Sequence, residues 1–206
     1  MQEKQVYEKK STYIHKKNRD KIILKVNALG RRNERREVIM FKIGDYVVHY
    51  KESVCEVSEV GKLNMSFSNK DKEYYTLKPI YNAGGTVYTP VDNEKKQIRE
   101  MITKEQAKQL IHHMPEIEVI AVSDEKRREQ FYKQALLTNE CKEWVAIIKT
   151  AYLRKKKRLD SGKKSINVDD KYLSIAEKFL YGELAAALGI SREEVKSYIL
   201  KELKEV

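Results

Sequence analysis

The sequence predicts an α+β protein in which a small curled β-module is followed by an all-α helical bundle. Three observations carry that reading. Short runs of β-branched and aromatic residues crowd between Met40 and Val91, a 3.6-residue apolar period takes over near residue 100, and charge is divided unevenly along the chain. Residues 1 to 39 hold 12 Lys and Arg against 5 Asp and Glu, residues 40 to 123 hold 11 against 12, and residues 124 to 206 hold 19 against 14. A near-neutral middle lies between two basic flanks, in a chain of formal net charge +11. Such a surplus draws a protein toward polyanions, of which nucleic acid is the commonest inside cells.

Taken in order, residues 1 to 39 are charge-rich and lack sustained periodicity, so they predict a basic, disordered extension in which only "KIILKV" could be briefly ordered. They read either as a flexible arm or, preferred here, as an upstream extension of a protein whose functional start is Met40. From Met40 the runs "YVVHY", "VCEVSEV", "EYYTLKPIY" and "TVYTPV" read as strands. "NAGG" (Asn82 to Gly85) supplies residues that tolerate positive φ between two of them, and "SNKDKE" is the other polar connection. So short a sheet buries its apolar face only by curling, which predicts a barrel of SH3 or Tudor type.

Helical signals follow. "TKEQ" (Thr103 to Gln106) is a capping box opening a helix that runs to about His112, and Pro115 ends it. "EIEVIAV" is an extended connector. Asp124 to Leu137 predicts one helix, and Asn139 is expected to cap a second, along which Trp144, Ile147, Ile148, Ala151 and Tyr152 form an apolar stripe. Asn167 is expected to cap a third, with Leu173, Ala176, Phe179, Leu180, Leu184 and Leu188 on one side. Gly189 stops it, and the box Ser191 to Glu194 starts a fourth. The predicted division is an extension at 1–39, a β-module with its trailing helix at 40–113, a linker at 114–123 and a helical domain at 124–206.

The strongest charge feature is "AYLRKKKRLDSGKK", in which Arg154, Lys155, Lys156, Lys157 and Arg158 are followed by Lys163 and Lys164. Cations at a helix C-terminus are favoured by the helix dipole alone, so the run by itself is equally a solvated helix end. Arg127 and Arg128 in "EKRRE" add a second cluster to the same predicted domain, and several clusters on one bundle predict a grip on the phosphate backbone that does not read sequence. "ELAAALGISREEVKSYI" has the outline of a helix-turn-helix, yet its second helix is nearly balanced in charge, which favours packing over groove insertion.

Other chemistry is excluded. The adjacent His112 and His113 point to different sides of a helix, His49 has no ligand-like neighbour in sequence, and Cys55 and Cys141 form no C-x-x-C pair, so neither a metal site nor a disulfide is expected. There is no P-loop and no catalytic constellation; neither enzymatic activity nor a cofactor is expected. No apolar run approaches the length of a membrane span, and a soluble, cytoplasmic, monomeric protein is expected.

The order of parts resembles one family. "MFKIGDYVVH", "SVCEV" and "YYTLKPIYNAGGTVYTPVDN" resemble the polymerase-interacting module of CarD-like bacterial transcription regulators, shared with the transcription-repair coupling factors. "KRR" and "DDKYLSIAEKFLYGELAAALGIS" resemble the CarD C-terminal domain, and the likeness runs from Met40 to Val206. The resemblance implies docking on the RNA polymerase β subunit through an edge strand, by position Thr86, Val87, Tyr88, Thr89 and Pro90, by β-augmentation. It also implies contact of the helical domain with upstream promoter DNA, modulating open-complex stability and initiation, with Arg127 and Lys171 falling where the family places DNA-contacting cations. Two positions depart from the pattern. Asp124 and Glu125 hold the place of a tryptophan wedge, and Tyr88 that of a polymerase-facing arginine. The first departure shifts DNA binding toward electrostatic contact. An alternative reading is a Tudor/SH3-like RNA- or ribosome-binding adaptor using the basic tail and the aromatic strands; Tyr74, Tyr75, Tyr81 and Tyr88 lie in strands, where cross-strand packing explains most of them and a minority could face RNA.

Overall fold

The computed structural model describes residues 23–24, 38–66, 68–82, 84–92, 97–121 and 124–204. The predicted disordered extension lies outside them, except for β1 (Ile23–Leu24) and β2 (Val38–Ile39), which pair antiparallel with Ile23 opposite Ile39. Five further strands make one antiparallel sheet: β3 (Tyr46–His49), β4 (Ser53–Lys62), β5 (Glu73–Pro79), β6 (Val87–Pro90) and β7 (Ile98–Glu100), in the spatial order β6-β5-β4-β3-β7. Four of them follow the apolar runs. The short β7 carries too little pattern to be read from sequence and is fixed by pairing with β3, Val48 opposite Arg99.

The register between β4 and β5 shifts at Val57/Glu59, a bulge that bends β4 and lets the sheet curl into a half-barrel. Its concave face closes on a small core of Phe41, Val47, Cys55, Val57, Tyr75 and Leu77. The other face, through Tyr46, Val48 and Val54, belongs to the helical core. Both faces of β3 are therefore covered and all four of its residues are buried, which is why "YVVH" is a continuous apolar run without alternation.

The helices are α1 (Lys104–His113), α2 (Arg128–Leu137), α3 (Cys141–Asp160), α4 (Asn167–Leu188) and α5 (Arg192–Glu202). Both capping boxes form: the Thr103 hydroxyl accepts from the Gln106 N–H at 3.2 Å, and Glu194 accepts from the Ser191 N–H at 3.0 Å. Gly189 ends α4 at φ 77°, as a left-handed cap requires. Three expectations are corrected. Asp124 to Leu137 is not one α-helix, because a 3-10 turn at Glu125–Arg127 precedes α2. Asn139 is not a cap; it sits at φ 59° between α2 and α3, Glu140 takes the cap position, and the Asn139 amide donates to the Val48 carbonyl at 3.0 Å. Asn167 is the first residue of α4 and Ile166 its cap. The α3 stripe holds through Trp144, Ile147 and Ala151 but breaks at Tyr152, which is exposed while Arg154 and Lys155 beyond it stay tied to α4.

Sheet and helices meet along a polar seam. Glu183 of α4, fully buried, accepts from Arg99 Nη1 at 2.6 Å and Nη2 at 2.7 Å, from the Ile102 N–H at 2.9 Å and from the Cys141 thiol at 3.1 Å. Arg99 also donates to the Asn139 carbonyl and lies 5.4 Å from the Trp144 ring. Burial opposes the charge on Arg99, but the hydrogen bonds and charge of Glu183 outweigh it and raise its pKa. Nearby, the Tyr81 hydroxyl donates to the Gly182 carbonyl at 2.8 Å and the Ser53 hydroxyl to that of Phe179 at 3.2 Å. A Cβ on Gly182 would meet Ser53 Oγ at 3.0 Å and the Tyr81 ring at 3.1 Å, so any side chain here would press on both neighbours.

Candidate docking edge and nucleic-acid interface

The predicted polymerase-binding segment is an edge. β6 is the last strand of the sheet beyond β5, with Thr89 opposite Tyr75 and Val87 opposite Leu77. Thr89 is buried and Val87 packs on the concave core, while Thr86 is exposed and Tyr88 and Pro90 are half-buried on the alternate side. No strand flanks β6 on its outer side among the described residues. A terminal proline is a usual guard on such an edge, since it cannot donate to an incoming strand.

At the far end of the helical unit the predicted DNA-binding residues divide into two groups. One group converges on the first turn of α4. Asp169, buried, accepts from the Tyr132 hydroxyl at 3.0 Å and is ion-paired to Arg128 at 3.0 Å and Arg154 at 3.6 Å. Arg128 is itself buried. Burial and the Asp169 charge push the Tyr132 pKa upward, so the phenol remains a donor. Beside them Lys155 pairs with Asp170 at 2.8 Å and Lys171 with Glu129 at 3.0 Å. The hydrogen bond and charge of Lys155 lower the Asp170 pKa, and Lys171 lowers that of Glu129 in the same way. Four of the ten predicted DNA-binding residues, Arg128, Arg154, Lys155 and Lys171, therefore engage carboxylates and tie the starts of α2 and α4 to α3.

The second group faces water. Lys156, Lys157, Lys163 and Lys164 are exposed and have no ion-pair partner among the described residues. Arg158 donates to the Lys164 carbonyl at 2.8 Å across the turn made by Gly162, whose φ is 71°. Arg127 is exposed, its guanidinium 5.7 Å from the Phe131 ring. Sequence reasoning passes over the exposed Lys126 beside Arg127 and the exposed Tyr152, Leu153 and Leu159 around the lysines. The apolar three are hidden because the stripe that marks α3 as a core helix runs on into them with no break in the sequence.

The aromatic platform of the alternative reading is largely consumed by packing. Tyr74 and Tyr75 are buried and Tyr81 is engaged at the seam under the Arg192 guanidinium. His113 is bonded to the Gln109 carbonyl and His112 lies 3.8 Å from Glu202; no His, Cys, Asp and Glu group able to hold a metal occurs among the described residues. Both cysteines are free and buried; burial first, then the charge of Glu52, pushes the Cys55 thiol up to about 12, and burial with the charge of Glu183 likewise raises Cys141. No described helix is long and apolar enough to cross a membrane.

No curated protein matches the chain. Residues 41–102, which span all five strands of the curled sheet, do match a family model, that of the CarD-like/TRCF RID domain. This is a family of RNA polymerase-interacting domains, and the β-module of this chain is similar to it.

Proposed function

We propose that this protein is a bacterial transcription regulator that bridges RNA polymerase and promoter DNA. The β6 edge docks on the polymerase β subunit, and the cationic end of the helical unit holds upstream duplex by non-specific backbone contact. One observation carries the reading: the matched domain ends its sheet in an open edge, Val87–Pro90, and is rigidly seamed through Arg99 and Glu183 to a unit bearing exposed lysines. Fixed separation of a protein-facing edge and a DNA-facing surface is what a bridge needs. It would hold the upstream duplex against the polymerase and thereby shift open-complex stability, acting as a monomer in the cytoplasm.

Binding of the full chain to an isolated polymerase β lobe tests it. Thr86→Glu with Tyr88→Glu is expected to abolish capture with the melting temperature unchanged, whereas Lys156→Ala with Lys157→Ala is expected to leave capture intact and weaken duplex binding. Failure of the wild-type chain to bind the lobe, with retained binding to single-stranded RNA, would overturn the proposal in favour of an RNA-binding adaptor.

A further inference from the structure

The last nine residues of α3, Tyr152 to Asp160, contain no buried side chain, although the helix is core through Ala151. At a rise of 1.5 Å per residue this makes a C-terminal tip about 13 Å long. Its two sides differ. Arg154 and Lys155 lie on the inner side, held by Asp169 and Asp170, and Arg158 joins them through the Lys164 carbonyl. Helical spacing of 100° per residue then places Tyr152, Leu153, Lys156, Lys157 and Asp160 on the outward side and Leu159 at its margin, in agreement with exposures of 56% for Tyr152, 51% for Leu153 and 53% for Leu159. Tyr152 and Leu159, seven residues apart, lie nearly on one line along the helix, and Leu153 stands about 100° from Tyr152 with Lys156 between them.

The charge around that face selects its occupant. Of the seven cations between Tyr152 and Lys164, four (Lys156, Lys157, Lys163 and Lys164) are exposed without an ion-pair partner among the described residues, against one acid, Asp160. A lysine-flanked apolar strip matches the walls of a duplex groove, where deoxyribose carbons lie between two rows of phosphates. We infer that the outward face of the α3 tip is a duplex-DNA contact in which Lys156 and Lys157 take phosphates and Tyr152, Leu153 and Leu159 pack on the sugars of the minor groove. This rests on the DNA-binding reading above and adds an apolar, salt-independent component to it. Arg154 and Lys155 are positioning residues, which hold the tip at its angle and do not themselves grip the duplex.

The test measures binding of the full chain to a fluorescent short duplex across a salt series. Tyr152→Ser, Leu153→Ser and Leu159→Ser combined are expected to bind about tenfold more weakly, equivalent to ~1.4 kcal/mol, with the salt slope unchanged. Lys156→Ala with Lys157→Ala is expected to weaken binding and flatten the slope by about 0.9 for each phosphate no longer neutralised. All five residues are exposed, so unchanged melting temperatures verify folding. Wild-type affinity in the apolar variant would overturn this inference while leaving DNA binding itself intact. Absence of duplex binding by the wild-type chain would overturn both. Binding to phosphatidylglycerol vesicles that the apolar variant loses, without any effect on duplex binding, would assign the face to a lipid surface and overturn the inference.

Discussion

Glu183 and Asp169 are both buried carboxylates on α4, roughly 20 Å apart along its axis, yet their surroundings differ. Glu183 accepts from four donors drawn from β7, the following loop and α3, all of them on buried or half-buried residues. Asp169 receives one hydrogen bond from Tyr132 and faces two guanidiniums as ion pairs, at a site where Arg154 is already partly in water. The first network fixes how sheet and helices sit against each other. The second gathers three helix segments so that further cations are held out into solvent. One helix thus serves as a spine whose two ends carry separate tasks, and the contrast can be tested.

The largest effect is expected at the seam. A buried ion pair adds little net stability over an apolar pair, but removing one partner strands the other. Glu183→Ala is therefore expected to cost about 3–5 kcal/mol in urea or thermal unfolding, and Arg99→Met with Glu183→Leu to recover most of it. A small loss on Glu183→Ala would erase the distinction between the two ends.

Acid separates the ends next. His49 neighbours the seam, accepts from the Lys51 N–H at Nδ1, and has its pKa lowered from 6.5 to about 4, chiefly by burial. Because the folded-state pKa is depressed, the unfolded chain takes the proton first. Stability from this group is full above pH 6.5 and falls as pH drops toward 4, by on the order of 2–3 kcal/mol once solvent screening is allowed for. His49→Gln should remove that slope between pH 6.5 and 4. Asp170, at the other end, also has a lowered pKa, so its contribution is present above the ordinary carboxylate range and vanishes only below it.

Asp169→Asn is expected to cost somewhat less than loss of Glu183, about 2–3 kcal/mol, since the buried Arg128 loses its counter-ion while Arg154 can turn to water. Smallest of all is Glu129→Gln. Its pair with Lys171 is exposed, so the melting temperature should not move, while release of Lys171 should strengthen duplex binding slightly and steepen its salt dependence.

Much of this fold is legible in the sequence because its local signals agree with its packing. Thr103 and Ser191 begin helices where their boxes say, Gly189 ends one, and the apolar runs become strands. Asn139 misleads because a residue type that caps helices also tolerates positive φ, and here the second property wins, so that its amide can reach Val48 across the seam. β7 and the Arg99–Glu183 pair are joined across 84 residues of chain, a distance over which no local pattern speaks. The basic residues are legible as a class, not as roles. Nothing in "EKRRE" or "YLRKKKR" says that Arg128 and Arg154 turn inward to Asp169 while Lys156 and Lys157 turn outward, because that choice belongs to the angle at which three helices meet.

The tight approach of α4 to the sheet at Gly182 carries a lesson for anyone wishing to graft the β-module elsewhere. Severed after residue 113, it would keep Arg99 without its counter-ion and would bare Tyr46, Val48 and Val54 to water. The module is consequently not a portable cassette. A transplant is expected to need a helix that brings a small residue followed by a glutamate, or else something greasy in place of the arginine.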